Sequence, residues 1–173
     1  KPDVIVMDVR MPRLDGISAS HKIRETAPET SVIVVSAYDD WSYVFDLLQK
    51  DPKGKAYLVK SSLDDIGELI RVVELVNQGD FVLDHALASK LPEYHERHSG
   101  EGEIQLDSSE VSVLSVLAEG YTDEEIGSIL QMDTGDVNTS LGSAYEKLGI
   151  NPGGDVNIQA LATEGFLNLS VSE

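Results

Sequence analysis

The sequence predicts an α/β domain on a parallel sheet, followed by an all-α domain of helix-turn-helix layout. Three observations carry this. The first hundred residues alternate short β-branched runs with amphipathic stretches, the pattern of strands buried on both faces between helices. Beyond residue 105 the apolar residues recur only at helical spacing, behind two capping-box arrangements. Charge divides at the same place: residues 1–100 hold 12 Lys+Arg and 17 Asp+Glu, net −5, whereas residues 101–173 hold 1 and 14, net −13.

The strands are Val4–Met7, Ser31–Val35 and Ala56–Val59. Between and after them, Ile17–Thr26, Trp41–Gln49 and Asp64–Gln78 suit helices, the last placing Ile66, Leu69, Ile70, Val72, Val73 and Val76 at helical spacing before Gly79 stops it. Phe81–Asp84 and Ala86–Leu91 read as a short apolar segment and a helical turn or two, either a junction or a cap on the first domain. Glu93–Gln105 is polar, without apolar periodicity until Ile104, and reads as linker. The expected division is therefore 1–80, a linker 81–105, and 106–173. In the last part Asp107 and Glu110, then Thr122 and Glu125, form the capping boxes, and Asp133 starts a third helix through Val137, Leu141, Tyr145 and Leu148. Two of these helices meet at Gln131-Met132-Asp133, a helix-turn-helix, and a last helix runs from Asn157 to about Leu167.

Composition narrows function. With 41% hydrophobic and 25% charged residues the chain is in the ordinary globular range. It has no cysteine, which removes disulfides, thiolate metal sites and cysteine nucleophiles, and fits a cytoplasmic protein. No apolar run approaches a membrane span, Lys1-Pro2-Asp3 offers no signal-peptide core, and a net charge of −18 repels anionic membranes and phosphate backbones. There is no P-loop, no G-x-S-x-G and no zinc-spaced histidine pair, so these motifs give no reason to expect an enzyme. His95 and His98, three apart in polar sequence, read as a solvated pair before a metal site.

In a parallel sheet, chemistry collects at the carboxyl ends of the strands. Asp8 follows the first strand, Ser36 the second and Lys60 the third. Taken singly, each reads as a polar strand end. Together they suit a carboxylate that accepts a phosphoryl group, with the hydroxyl and the ammonium offsetting charge on the equatorial oxygens.

The run Asp8-Val9-Arg10-Met11-Pro12-Arg13-Leu14-Asp15-Gly16 resembles the phosphoacceptor loop of bacterial two-component receiver domains, D-x-x-M-P-x-x-D-G. Ser36-Ala37 matches that family's small hydroxyl position, Lys60 its lysine and Tyr57 its aromatic switch position. The resemblance covers residues 1 to about 80 and implies a flavodoxin-like (CheY-like) parallel sheet. It further implies that a sensor histidine kinase phosphorylates Asp8 with Mg²⁺, and that Ser36 and Tyr57 then shift inward to alter the face made by Trp41–Gln49 and Ala56–Val59. Trp41 and Tyr43 lie on that face, as a relay or dimerisation surface or as ordinary surface aromatics. Lys60 is followed by Ser61 where proline is common, and Asp51–Lys55 is more charged than the usual turn; both departures resemble NarL-type members. Receivers also begin with a strand ending in an acidic pair that holds Mg²⁺, then a helix and a second strand. The chain starts immediately before the third strand, so the sheet is expected to be incomplete and on the order of 45–50 residues to be lacking. Of the implied Mg²⁺ ligands only Asp8 and the backbone carbonyl of Arg10 are present, so no bound ion and no autophosphorylation are expected of this segment alone.

The second part resembles the LuxR/NarL (FixJ-type) output domain in Glu110-Val111-Ser112-Val113-Leu114, Ala118-Glu119-Gly120, Glu125-Ile126 and Lys147-Leu148-Gly149-Ile150. The resemblance implies DNA binding and transcription regulation, with Asn138, Thr139, Ser140 and Lys147 as the candidate contacts. Charge opposes that. Recognition helices place cations near phosphates, yet this helix offers Gly135, Asp136, Asn138, Thr139, Ser140, Gly142 and Ser143, and Lys147 is the only cation of residues 101–173. Family members commonly carry a basic residue at the positions of Gly135 and Gly142. Two output classes stay open: a phosphorylation-controlled DNA-binding regulator, and one whose acidic helix-turn-helix is a protein-binding or dimerisation module meeting a basic protein partner or forming a homodimer.

Overall fold

A computed structural model describes residues 1–48, 51–98, 104–151 and 157–169. The chain divides into two compact units, Lys1–Leu87 and Ala88–Glu173.

In the first unit the β-branched runs form β1 (Val4–Asp8), β2 (Ser31–Ser36) and β3 (Lys55–Val59), joined by β4 (Phe81–Leu83). Among the described residues they make one parallel sheet in the order β1-β2-β3-β4. β2 is buried along its whole length, which is why it reads as an unbroken apolar run, whereas β1 lies at an edge and leaves Val6 half exposed. The helices are α1 (Gly16–Thr26), α2 (Trp41–Leu48), α3 (Ile66–Gln78) and the short α4 (His85–Ala88).

Successive strand residues alternate faces. Ile33, Val35, Ala56, Leu58 and Val82 point to one, where Val72 and Val76 of α3 close a core with them. Helix α1 packs against β2 and α2. The start of α3 differs from expectation: Lys60–Asp64 forms a 3-10 turn, and Asp65 caps α3 by accepting from the Gly67 amide. Gly79 ends that helix as predicted, at φ 103, in the left-handed region that favours glycine.

The expected linker is partly ordered. Phe81–Leu83 pairs with β3 as a strand, and its end is locked by the buried Asp84, whose carboxylate accepts from the amides of Val59 and Ala86, each at 2.8 Å. Leu91–His98 is helix α5, one turn of whose spacing buries Leu91 and His95. Two apolar positions in eight residues are too few to stand out as periodicity, so Glu93–His98 reads as linker from sequence. His95 packs its ring 5.5 Å from that of Phe166, a core histidine; the side chain of His98 lies outside the described residues, as do residues 99–103.

In the second unit the helices continue as α6 (Ser108–Leu117), α7 (Asp123–Leu130), α8 (Thr134–Lys147) and α9 (Ile158–Leu169). Both predicted capping boxes form, Asp107 with Glu110 and Thr122 with Glu125. Asp133 takes the N-cap position of α8 without a side-chain cap bond. Between α7 and α8 the chain turns through Gln131 at φ 56, and α8 packs on both α6 and α7.

Ile33 is fully buried at the centre of the sheet, and its truncation to alanine removes a methylene and two methyl groups from the core it forms with Val35, Ala56, Leu58, Val72, Val76 and Val82. Ile33→Ala is expected to destabilise the first unit by about 3 kcal/mol. Urea unfolding followed by the fluorescence of Trp41, the sole tryptophan and a member of that unit, measures it.

Candidate functional site

The strand register builds the first site. Asp8 is opposite Val35 and Ser36 opposite Val59, so Asp8, Ser36 and, one residue beyond β3, Lys60 reach the same sheet edge. Lys60 Nζ forms an ion pair with Asp8 Oδ2, and Asp8 Oδ1 accepts from the Arg10 amide at 2.9 Å. The Lys60 ammonium, followed by the Arg10 amide, holds the Asp8 carboxyl below the usual carboxylate value. Both side chains remain partly open to solvent, 36% for Asp8 and 50% for Lys60, so the carboxylate is ionised and reachable.

The loop after β1 is shaped around that carboxylate. A β-carbon on Gly16 would lie 2.3 Å from the Asp8 carbonyl oxygen, so the Asp15-Gly16 pair exists for close backbone approach. The Gly16 amide bonds the Val9 carbonyl at 2.8 Å, while Asp15 caps α1 by accepting from the amide and hydroxyl of Ser18, which keep its carboxyl low. Arg13 takes φ 73 in the same turn.

Ser36 keeps its expected strand end, and Tyr57 differs from expectation only in that its ring is already inside. Ser36 Oγ is buried and accepts from the Tyr38 amide at 3.1 Å. Tyr57 is fully buried with its hydroxyl donating to the Tyr38 carbonyl at 2.9 Å, and burial raises its pKa. An inward shift of Tyr57 is therefore not available as a first step: the ring is already inside, tying β3 to the β2–α2 loop. Sequence reading missed the partner that closes this group, the Arg10 guanidinium 4.9 Å above the Tyr38 ring. No spacing rule links those two positions; only the sheet brings them together. On α2, Trp41 stacks on Phe45 with centroids 6.0 Å apart.

A hard divalent cation takes about six or more oxygen ligands. This chain offers the Asp8 carboxylate and the Arg10 carbonyl, and among the described residues no group of three metal-ligating side chains exists. The described residues do not by themselves make a Mg²⁺ site.

The second candidate site is α8. Asn138 and Thr139 are exposed, with Thr139 Oγ1 donating back to the Gly135 carbonyl at 2.8 Å, and Ser140 is half buried. Lys147, 35% exposed, aims its ammonium at α6. Its Nζ donates to Glu110 Oε2 at 2.7 Å, and Glu110, 1% exposed, also accepts from Ser143 Oγ at 2.6 Å and the Asp107 amide at 2.6 Å. Burial opposes the ionised Glu110, but the Lys147, Ser143 and Asp107 bonds outweigh it and the carboxyl stays below 4.5. The one cation of residues 101–173 is thus spent on holding α8 to α6. Glu110 is legible in the sequence as a capping-box residue; its second role is not.

An acidic loop beside a hydroxyl and a lysine at the edge of a parallel sheet, followed by a separate helix-turn-helix unit, is the architecture of a response regulator. Comparison with known proteins agrees. Residues 1–74 match the response regulator receiver domain family, and the chain is a relative of NarL/LuxR-type two-component response regulators. It is 31% identical to the oxygen regulatory protein NreC of Staphylococcus haemolyticus over 73% of the chain and 60% of that protein. With the transcriptional regulatory protein DegU of Brevibacillus brevis it shares 28% identity over 87% of the chain and 69% of that protein. The chain spans about 60% of the length of the NreC protein of Staphylococcus haemolyticus. Among solved structures, the RcsB response regulator of Salmonella typhimurium covers 93% of the chain at 21% identity and a TM-score of 0.45, the match taking in 74% of that structure.

Replacing Lys147 by methionine leaves the buried Glu110 carboxylate without its cation and is expected to cost about 2 kcal/mol at neutral pH. Because the folded pKa of Glu110 is depressed, the pair's contribution is full above the ordinary value of 4.5 and is lost as pH falls through the lower folded value. Urea unfolding followed by circular dichroism should show the penalty shrinking at acid pH; a penalty independent of pH would rule the ion pair out as its cause.

Proposed function

We propose that the chain is part of a cytoplasmic response regulator in which Asp8 accepts a phosphoryl group from a sensor histidine kinase. The Asp8–Lys60 ion pair at the sheet edge carries this reading. A carboxylate oxygen of Asp8 attacks phosphorus, the donor histidine N–P bond breaks, and the acyl phosphate O–P bond forms. Asp8 is kept ionised by Lys60, so no proton must leave before attack. The Lys60 ammonium then turns from the carboxylate to the phosphoryl oxygens and offsets their charge. Ser36 is the hydroxyl at the same edge, and its reorientation toward the phosphoryl group releases the Tyr38 amide it now accepts from. The β2–α2 loop, held also by the Tyr57 hydroxyl, is the element whose position phosphorylation changes.

The family's output is transcription regulation, and a two-unit chain of this type acts there through its helix-turn-helix. A specific observation favours an output without direct DNA contact. The exposed residues of α8 include Asp136 and Glu146 and no cation, because Lys147 is committed to Glu110. A net −13 segment whose one cation is paired with Glu110 approaches a polyanion against its own field. The second unit then serves as a module for a protein partner or a second copy.

Asp8→Asn in the full-length protein is expected to abolish acid-labile phosphate uptake from a kinase or a small phosphodonor; undiminished labelling would assign the acceptor elsewhere. Gel shift with random duplex DNA at low salt is expected to show no retarded species, and a clear shift would restore the DNA-binding output.

A further inference from the structure

Helix α8 presents an unpartnered face. Gly135, Asn138, Thr139, Gly142 and Glu146 recur at helical spacing, and all five are exposed. A β-carbon at Gly135 or Gly142 would meet nothing within 4 Å, so neither glycine is required by a neighbouring element, although glycine is a poor helix residue. Beside Gly142 the empty space widens into a groove of about 390 Å³ walled by Gly142, Tyr145, Glu146, Gly149, Ile150 and Asn151. Tyr145 and Ile150 give it an apolar side. Its surroundings are acidic: Glu146 stands in the wall, and Asp123 lies close enough to act on Tyr145, whose phenol is pushed up to about 12 by burial and then by that carboxylate. Lys147 is held by Glu110 and does not neutralise this face.

We propose that this face of α8 docks a lysine- or arginine-rich protein segment carrying one large apolar side chain, which fills the groove while its cations meet Glu146 and Asp123. The inference rests on the reading that the second unit does not grip duplex DNA. Charge complementarity selects the occupant. A nucleic acid or an anionic membrane brings negative charge to a negative surface, and a second copy docking through the same patch opposes like charges. A single apolar anchor in a pocket ringed by complementary charge is the usual division of labour in protein recognition.

The test uses the whole chain and fluorescence anisotropy with three labelled probes: a lysine-rich peptide with one tryptophan, the same peptide with serine in its place, and a random-sequence DNA duplex. The tryptophan peptide is expected to bind, to weaken with salt, and to bind at least tenfold more tightly than the serine peptide. Gly142→Leu fills the groove without disturbing a neighbour, and should remove that tryptophan advantage while leaving the serine peptide unchanged. Glu146→Lys should weaken both peptides several-fold, whereas Glu96→Lys, the same charge change on exposed α5, should leave both unchanged. Equal binding of the two peptides, or equal effects of Glu146→Lys and Glu96→Lys, would reduce the site to non-specific attraction and overturn the proposal. Absence of peptide binding with no duplex binding overturns it alone, while duplex binding at low salt overturns the reading beneath it.

Discussion

The parallel register of β1, β2 and β3 is the constraint on which the first unit depends. Asp8, Ser36 and Lys60 are 28 and 24 residues apart in sequence and share one edge only because Asp8 faces Val35 and Ser36 faces Val59. A slip of one residue in β2 would turn Ser36 out of its loop and carry Ile33 and Val35 off the face that α3 covers. The same alternation that buries the core therefore sets the spacing of the chemistry, and the site is as rigid as the sheet is. The Arg10–Tyr38 contact and the Tyr57–Tyr38 bond both converge on the segment after β2. That segment is fastened from two sides, to the loop after Asp8 and to the strand before Lys60.

Asp84 extends the same logic to the end of the first unit. Its buried carboxylate gathers the Val59 amide, immediately before Lys60, and the Ala86 amide at the start of α4, while its own amide donates to the Tyr57 carbonyl at 2.9 Å. One side chain thus fixes the end of the strand that supplies Lys60 and the first turn of the segment that follows the sheet. Backbone amides satisfy a buried carboxylate without a counter-charge only when several converge, which requires both segments to stay in place.

The strands, the helices and the Asp8–Ser36–Lys60 edge are legible in the sequence because each rests on a local pattern, an apolar run or a capping residue, plus one topological rule. The remainder is not legible for a common reason. β4 is three residues long, and α5 buries only Leu91 and His95, so neither has the length over which periodicity becomes a signal. Arg10 and Tyr38, or Glu110 and Lys147, are pairs whose members belong to different elements, and no spacing links them. Tyr57 shows the limit most clearly. Its place on β3 is readable, but whether its ring lies in or out depends on the hydroxyl finding the Tyr38 carbonyl, a contact between loop and strand that sequence does not encode locally.

Lys147 carries the last step. A lone lysine near the end of a recognition helix is, from sequence, the residue on which a DNA-binding output would have to rely. In the fold it is the residue that Glu110 needs: without it, α6 would bury a carboxylate on two neutral donors, Ser143 and the Asp107 amide. The two uses exclude each other, since an ammonium that turned to a phosphate would leave Glu110 uncompensated at the interface of α6 and α8. Structural demand therefore removes the only local relief from the negative field, and the composition bias of residues 101–173 acts on the exposed face of α8 undiluted. A surface of that kind selects partners by sign before it selects them by shape.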